Sequence, residues 1–204
     1  MLGFYDYTVI LTYLSVVSSV VGLFLATKEM FLGAVICLLL SGLCDMFDGM
    51  VARTKKNRTE MEKKNGIQLD SLADVVCFGV LPAAIGFSIG ADKVWQIIIL
   101  VLFALCGLIR LAYFNVTEET RQQQTETKRK SYEGVPITSS ALTVPLLFCF
   151  RKLIGAAFPI AYTVLLLVNG AAFVTPVKVK KPGKKGVIIM LALGVVFTIL
   201  IIVL

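Results

Sequence analysis

Long apolar stretches alternate with short polar segments along the whole chain. Each stretch approaches the ~20 residues that a membrane-spanning helix needs, so the pattern predicts seven transmembrane helices. The predicted spans cover approximately residues 8–26, 30–48, 66–90, 94–114, 135–150, 156–174 and 187–204. The fifth span is short, and Pro136 near its start and Pro145 within it predict a kink.

Composition supports the same class of protein. Hydrophobic residues make up 57% of the 204 positions, and the mean hydropathy is +0.86. A soluble domain of this size could not bury so many apolar segments, so we predict an all-α, polytopic membrane bundle. The first seven residues lack the basic segment and the cleavage site of a signal peptide, and we expect them to remain in the protein.

The residue types that are present restrict the possible chemistry. The chain has no histidine, which excludes histidine general bases, Ser-His-Asp triads and imidazole metal sites. Carboxylates, Lys, Arg, Tyr and Cys remain as reactive groups. The five cysteines occur singly in apolar segments without CxxC spacing, and we interpret them as small buried hydrophobic residues.

Basic residues are distributed unequally between the predicted loops. Of the 20 Lys and Arg residues, most fall in the three loops that follow spans two, four and six: Arg53, Lys55, Lys56, Arg58, Lys63, Lys64; Arg121, Lys128, Arg129, Lys130; and Lys178, Lys180, Lys181, Lys184, Lys185. The positive-inside rule places these loops and the N-terminus in the cytoplasm. The clusters either act only as solvated connectors that set topology, or also attract anionic headgroups and anionic substrates.

Four aspartates form two pairs at the predicted cytoplasmic ends of spans two and three. Asp45 and Asp48 are three residues apart and Asp70 and Asp74 are four apart, so each pair lies on one helix face. We expect both pairs to meet at one depth. Carboxylates near a membrane are costly to keep ionised unless they are paired or bind metal. Arg53 alone cannot neutralise four anions, so the pattern predicts divalent cations.

Aspartate oxygens without histidine or cysteine nearby favour Mg²⁺, Mn²⁺ or Ca²⁺ over Zn²⁺ or Cu²⁺. Four carboxylates are enough for two ions, and a pair of ions suits phosphoryl transfer. Gly49 beside Asp48 lets a ligand approach the backbone closely. Arg53, one turn further along, has the planar fork that binds phosphate.

The order and spacing of eight residues resemble the signature of the CDP-alcohol phosphatidyltransferases: Asp45, Asp48, Gly49, Ala52, Arg53, Gly66, Asp70 and Asp74. Spans one to six resemble the six-helix core of that family. Residues 1–174 are therefore expected to form this core, and residues 175–204 a basic linker and an additional transmembrane helix. The twelve residues between Arg53 and Gly66 exceed the usual family spacing, which predicts an enlarged loop.

The resemblance implies a role for each of these residues. The four aspartates would hold two divalent cations, Mg²⁺ or Mn²⁺, and Ca²⁺ would also fit. Asp74 would be the base that deprotonates the acceptor alcohol. The CDP-binding residues would be Asp45, Gly49, Ala52, Arg53 and Gly66. The family also implies a homodimer in the lipid bilayer, and we expect no nucleic-acid partner.

Three further segments resemble the phosphatidylserine synthase branch of the family: residues 68–83, 108–116 and 132–141. That branch transfers a phosphatidyl group from a CDP-linked lipid, either CDP-diacylglycerol or an archaeal ether analogue, to the hydroxyl of L-serine and releases CMP. Tyr113 stands where the branch has a second Arg. The resemblance implies the following serine-binding candidates: Arg110, Asn115, Glu133, Thr138 and Ser139.

Each serine-binding candidate also has a simpler interpretation. Arg110 either binds the serine carboxylate or snorkels and pairs with an aspartate. Asn115 and Glu133 are also explained as helix caps or solvated residues. Thr138 and Ser139 sit in a segment where hydroxyls commonly bond to their own helix backbone.

Two alternative functions remain open. The acceptor alcohol could be glycerol 3-phosphate or inositol phosphate, but a phosphorylated acceptor should require further cations, and only Arg110, Lys63 and Lys64 are near candidates. The second alternative is a divalent-cation transporter. The aspartates cluster at one end of the bundle rather than at the midplane, and the sequence has no paired broken segments in two related halves, which argues against transport.

Overall fold

The computed structural model describes residues 3, 5–124, 131–180 and 184–203. These residues form a bundle of α-helices, which confirms the predicted all-α membrane fold. The helices are α1 (Ile10–Thr27), α2 (Phe31–Ala52), α3 (Glu60–Asp74), α4 (Leu81–Ser88), α5 (Val94–Gln124), α6 (Ser140–Phe148), α7 (Arg151–Ile154), α8 (Phe158–Val174) and α9 (Lys184–Val203). Short 3-10 turns precede α1, α6 and α8 at Tyr7–Val9, Ile137–Ser139 and Gly155–Ala157. Four of the basic loop residues, Lys128, Arg129, Lys130 and Lys181, lie outside the described residues.

Five helical segments in the described part of the chain are long and apolar enough to cross a membrane: Tyr7–Thr27, Phe31–Ala52, Glu60–Ser88, Val94–Arg121 and Arg151–Val174. The protein is therefore a multi-pass membrane protein. The predicted fifth and seventh spans are shorter apolar helices, Ile137–Phe148 and Ile189–Ile201. The fifth is short because Pro136 precedes its first turn, and Pro145 lies inside α6 as expected. The division at residue 174 stays a prediction.

Two predicted loop boundaries are wrong, because both neighbouring helices are longer than hydropathy indicates. Helix α3 begins at Glu60 rather than Gly66, because Thr59 and Glu62 form a capping box. The Thr59 hydroxyl accepts from the Glu62 N–H at 3.2 Å, and the Glu62 carboxylate accepts from the Thr59 N–H at 2.7 Å. Helix α5 continues ten residues beyond Phe114 to Gln124, through the first half of the predicted 115–133 loop.

Small residues allow α1 and α2 to pack closely. A Cβ on Gly22 would lie 2.9 Å from the Cys37 Cβ, so the two backbones approach each other at this point. Polar bonds reinforce the contact, since the Ser19 and Ser41 hydroxyls lie 2.8 Å apart and the Ser18 hydroxyl donates to the Cys37 carbonyl at 2.9 Å. This hairpin orients the end of α2 that carries Asp45 and Asp48.

The helix widens immediately after Asp74. Residues Val75–Val80 form a π-helical turn before α4 begins. Pro82 has no N–H, so the carbonyl of Phe78 loses its usual helical partner. The Ser140 hydroxyl donates to that carbonyl at 3.1 Å instead. The turn that follows the last aspartate is therefore held by the first residue of α6.

A short antiparallel ribbon joins two distant segments of the chain. Strand β1 (Ser131–Glu133) pairs with β2 (Lys178–Lys180), so the segment before α6 contacts the linker before α9. Gly134 follows β1 with a φ of +77°, and a Cβ there would lie 2.5 Å from the Phe173 carbonyl oxygen. This position therefore requires glycine.

The N-terminal segment is tied to the loop between α2 and α3. Lys55 Nζ lies 2.7 Å from Asp6 Oδ2 and 2.9 Å from Glu62 Oε1. Asp6 also caps the turn Tyr7–Val9, because its carboxylate accepts from the Thr8 N–H at 2.8 Å. The hydrogen bonds from Lys55 and Thr8 lower the pKa of Asp6 to about 2.

Replacing Lys55 with Gln should loosen the N-terminal turn. We expect the amides of Thr8 and Val9 to lose roughly two- to five-fold of their protection against hydrogen exchange, the range typical of a partly exposed ion pair. The pKa of Asp6 is lower in the folded protein, so its contribution is fully present above its ordinary pKa and is lost as the pH falls toward 2. Wild-type protection factors at these amides should therefore stay constant from about pH 5 to pH 8.

The matched control is Glu60→Gln, which removes the ion pair between Glu60 and Lys63 on α3 without touching the N-terminal turn. This variant should protect Thr8 and Val9 as the wild type does. Equal protection in Lys55→Gln and in the wild type would show that the ion pair does not hold the segment.

Candidate active site

The ends of α2 and α3 bring the aspartates together. One carboxylate oxygen from each of Asp45, Asp70 and Asp74 lies within 4.8 Å of the other two. Asp48 lies within hydrogen-bonding reach of Asp70, and Asp45 within reach of Asp74. The expected convergence of the two pairs is therefore confirmed. Each aspartate of α2 faces one of α3, so the carboxylates pair between helices.

The cluster is largely shielded from solvent. Asp74 is only 8% exposed, and the other three aspartates are partly buried. Arg110 of α5 interacts electrostatically with Asp45, and Arg53 with Asp48. The hydroxyl of Thr12 on α1 also lies 3.5 Å from Asp48 Oδ2. Two guanidinium groups leave negative charge in the cluster when all four carboxylates are ionised.

This donor set fits hard divalent cations. Three carboxylate oxygens converge within 4.8 Å, and no histidine or cysteine belongs to the group. Carboxylate oxygens of this kind are the ligands that Mg²⁺, Mn²⁺ and Ca²⁺ prefer. The fourth aspartate, Asp48, lies next to Asp70 and supplies a further carboxylate. The residues can therefore hold metal.

A cavity of about 140 Å³ opens beside the aspartates. Five of the residues that the sequence singles out line it: Asp48, Gly49, Ala52, Gly66 and Asp70. Lys63, which the sequence offered only as a cation for a phosphorylated acceptor, also lines it. Sequence reasoning missed five others: Thr8, Val9, Thr12, Arg58 and Ile67. The four-residue spacing of Thr8 and Thr12, at the end of the first span that faces the motif, was the available signal. Arg53 is not among the lining residues.

Two glycines leave room for guanidinium groups at the cavity. A Cβ on Gly49 would lie 3.4 Å from a terminal nitrogen of Arg53, and a Cβ on Gly66 would lie 2.6 Å from a terminal nitrogen of Arg58. Arg58 also donates to the Glu62 carbonyl at 3.2 Å, which holds it across α3. Gly66 lies within α3, and the prediction of an enlarged loop before it is wrong, because six of the twelve residues between Arg53 and Gly66 belong to this helix. The shorter connection that remains supplies Arg58 as an additional cation at the cavity wall.

The serine-binding candidates on α5 occupy two different environments. Arg110 is buried, interacts with Asp45 and lies 5.2 Å from the centre of the Phe114 ring. Asn115 donates to the Ser71 hydroxyl at 2.9 Å, and that hydroxyl lies 3.1 Å from the Asn115 carbonyl oxygen. Ser71 lies between Asp70 and Asp74 in the sequence. Asn115 thus joins α5 to the helix that carries two of the aspartates.

The remaining candidates lie at the end of β1 and in the turn that follows it. Glu133 is exposed and accepts from the Tyr113 hydroxyl at 3.3 Å. Thr138 and Ser139 lie in the 3-10 turn that leads into α6, which contacts the widened turn after Asp74. The Ser139 hydroxyl is buried and has no hydrogen-bond partner among the described residues. Such a group indicates that a ligand or water completes its hydrogen bonding.

Several known proteins have sequences similar to this chain. The chain is 46% identical over 117 residues to CDP-diacylglycerol--serine O-phosphatidyltransferase of Saccharomyces cerevisiae, an alignment that covers 56% of this chain and 41% of that protein. It is 35% identical over 138 residues to archaetidylserine synthase of Methanothermobacter thermautotrophicus, with 66% and 55% covered.

A third relative is CDP-diacylglycerol--serine O-phosphatidyltransferase of Helicobacter pylori, 34% identical over 134 residues, with 65% of this chain and 52% of that protein covered. The chain spans about half the length of these relatives. Residues 7–200 match the sequence model of one family, and the chain therefore belongs to the CDP-alcohol phosphatidyltransferases.

Proposed function

We propose that the protein is a phosphatidylserine synthase. It would transfer the phosphatidyl group of a CDP-linked lipid, CDP-diacylglycerol or an ether analogue, to the hydroxyl of L-serine. The observation that carries the proposal is the convergence of Asp45, Asp70 and Asp74 within 4.8 Å, next to a cavity lined by Gly49 and Gly66. The names of the three relatives support serine as the acceptor.

Two divalent cations, Mg²⁺ or Mn²⁺, would be held by Asp45, Asp48, Asp70 and Asp74. When bound, they neutralise the charge of the diphosphate and of the departing nucleotide. Gly49, Ala52 and Gly66 would accept the cytidine diphosphate portion in the cavity, because glycine and alanine at these three positions occupy little of its wall. Asp45 and Arg53 complete the proposed CDP-binding set, with Arg53 reaching the nucleotide from the end of α2.

Asp74 would act as the general base. Its carboxylate is the most buried of the four, so a proton taken from the acceptor is shielded from bulk water. The serine hydroxyl gives its proton to Asp74, and its oxygen forms a bond to the β-phosphorus. The bond from that phosphorus to the bridging oxygen breaks, and CMP leaves with the bridging oxygen. One P–O bond forms and one breaks, and no redox partner is needed.

Serine would bind between α5, α6 and the aspartates. Ser139 has a buried hydroxyl available for a ligand, and the adjacent Thr138 lies on the same 3-10 turn. Arg110 would meet the serine carboxylate while remaining close to Asp45. Asn115 would contribute mainly by its hydrogen bond to Ser71, which positions α3. Glu133 would contribute from the surface, by its hydrogen bond from Tyr113.

The site would face the cytoplasm, because the basic loops flank it and anionic substrates approach from that side. The protein would act as a homodimer in the membrane, as the family resemblance implies. Glycerol 3-phosphate and inositol phosphate remain the alternative acceptors, and the experiment below includes both.

Purified protein should release CMP from CDP-diacylglycerol when L-serine and Mn²⁺ or Mg²⁺ are present. Release should stop with a chelator, and glycerol 3-phosphate or myo-inositol phosphate should not replace serine. We expect Asp74→Asn to lower the rate at least ~100-fold, the scale of general-base catalysis. The matched control is Asp92→Asn in the turn between α4 and α5, at the other end of the bundle, which should keep wild-type activity.

Release with a phosphorylated acceptor but not with serine would contradict the proposed substrate. Near-normal activity of Asp74→Asn would exclude this residue as the base. No release with any acceptor would favour ion binding or transport instead.

Asp70→Asn should change stability in opposite directions with and without metal. In a chelator the variant should unfold at a higher temperature than wild type, because one of four mutually repelling carboxylates is gone. Mn²⁺ at ~100 times its dissociation constant should stabilise the wild type by about 2.7 kcal/mol, and the variant by much less. Thermal unfolding in detergent measures both effects. An equal Mn²⁺ gain in Asp70→Asn and in Asp92→Asn would argue against an aspartate metal site.

A further inference from the structure

A second cavity lies at the end of the bundle opposite the aspartates. Its volume is about 130 Å³, and its lining residues are Leu32, Phe148, Cys149, Arg151, Lys152 and Ile201. Leu32 and Asp45 are on the same helix, and at 1.5 Å per residue they are separated by roughly 20 Å along its axis. The cavity is therefore distinct from the candidate active site.

Two cations form one side of this cavity. The Arg151 guanidinium lies 4.8 Å from the centre of the Phe31 ring and 6.0 Å from that of Phe158. Stacking of this kind holds the guanidinium in place and leaves its N–H groups free to donate at the edge. In the described ranges, no carboxylate lies within ion-pair distance of Arg151 or Lys152. The two positive charges thus have no counter-ion among the residues that the structure describes.

The other side of the cavity is apolar. It is formed by Leu32 of α2, Phe148 of α6 and Ile201 of α9. The side chain of Leu32 is 42% exposed. The cations are the first two residues of α7, at the start of the span Arg151–Val174, where a bilayer's headgroups begin. A phospholipid has the same arrangement, with an anionic phosphate beside apolar chains. A free phosphate ion would use the cations but gain nothing from the apolar wall.

We propose that this cavity binds the phosphate of an anionic membrane lipid, with an acyl chain along Leu32 and Ile201. A net anionic lipid fits better than a zwitterionic one, since the headgroup ammonium of the latter would approach Arg151 and Lys152, which form no ion pair within the described residues. The bound lipid contacts both the core and α9. It therefore secures α9, which packs on α2 and α6, against the rest of the bundle.

The test compares lipid binding by two double variants with native mass spectrometry in neutral detergent, using phosphatidylglycerol and phosphatidylcholine as probes. Arg151→Gln with Lys152→Gln should bind phosphatidylglycerol roughly 30-fold more weakly than wild type, given the attraction of each basic residue to anionic lipid. The matched control, Lys28→Gln with Lys93→Gln, removes two exposed cations from turns at the same end of the bundle and should bind as wild type does. Phosphatidylcholine binding should be similar in all three proteins.

A second variant keeps the test valid if the charge change disturbs folding, which gel filtration would reveal. Ile201→Trp fills the cavity from its apolar side and leaves both cations intact, and it should also weaken phosphatidylglycerol binding. Wild-type affinity in both Ile201→Trp and the Arg151/Lys152 variant would overturn the proposal. Displacement of the lipid by inorganic phosphate at equal concentration would overturn it too, because the ligand would then be free phosphate.

Discussion

Repulsion among the four carboxylates is the constraint on which the rest of the structure depends. Two unit charges about 4 Å apart interact by about 4 kcal/mol at the effective dielectric of a protein surface. Asp45, Asp70 and Asp74 are nearly this close to one another. Helices α2 and α3 would separate at this point unless other contacts held them or cations bound between them. The function that we propose depends on this repulsion, because the negative charge that destabilises the cluster would also attract divalent cations.

Three sets of contacts hold the aspartates in place. Serine hydroxyls and small residues join α1 to α2. The Asn115–Ser71 bonds and the ion pair of Lys64 with Glu119 at 3.2 Å join α3 to α5. Beyond Asp74, the Ser140 hydroxyl donates to the Phe78 carbonyl, which cannot accept from Pro82. Each contact acts within one or two turns of a carboxylate, so the helices need not be rigid along their whole length.

The sequence predicted the part of the site that depends on helical periodicity. Two aspartate pairs at spacings of three and four residues must share faces once they are helical, and a common membrane depth follows from the alternation of spans. The start of α3 could also have been predicted, because Thr59 and Glu62 have the sequence pattern of a capping box. The prediction relied on hydropathy, which does not detect a helix start in a charged segment. Helix α5 likewise extends beyond its apolar stretch because polar side chains stabilise its end. Glu118 and Arg121, three residues apart, form an ion pair at 2.6 Å.

Features that depend on chain folding between elements could not be predicted in this way. Arg58 reaches Gly66 only because the connection between α2 and α3 folds back over α3. Thr8 lines the cavity because Asp6 and Lys55, 49 positions apart, form an ion pair. Asn115 was predicted as a serine contact, but its bonds to Ser71 depend on the distance between α3 and α5, which no local pattern encodes. The same holds for the second cavity, whose cations and apolar wall come from separate helices.

The central claim of the proposal is that the aspartates would hold a divalent cation that binds the diphosphate of the CDP-linked lipid. The most direct test replaces one non-bridging β-phosphate oxygen of the CDP-linked lipid with sulfur and compares Mg²⁺ with the softer Cd²⁺. Because sulfur is a poor ligand for Mg²⁺ and a good one for Cd²⁺, serine-dependent CMP release from the sulfur substrate should fall sharply with Mg²⁺ and recover with Cd²⁺. An equal loss with both metals would contradict direct contact between metal and phosphate.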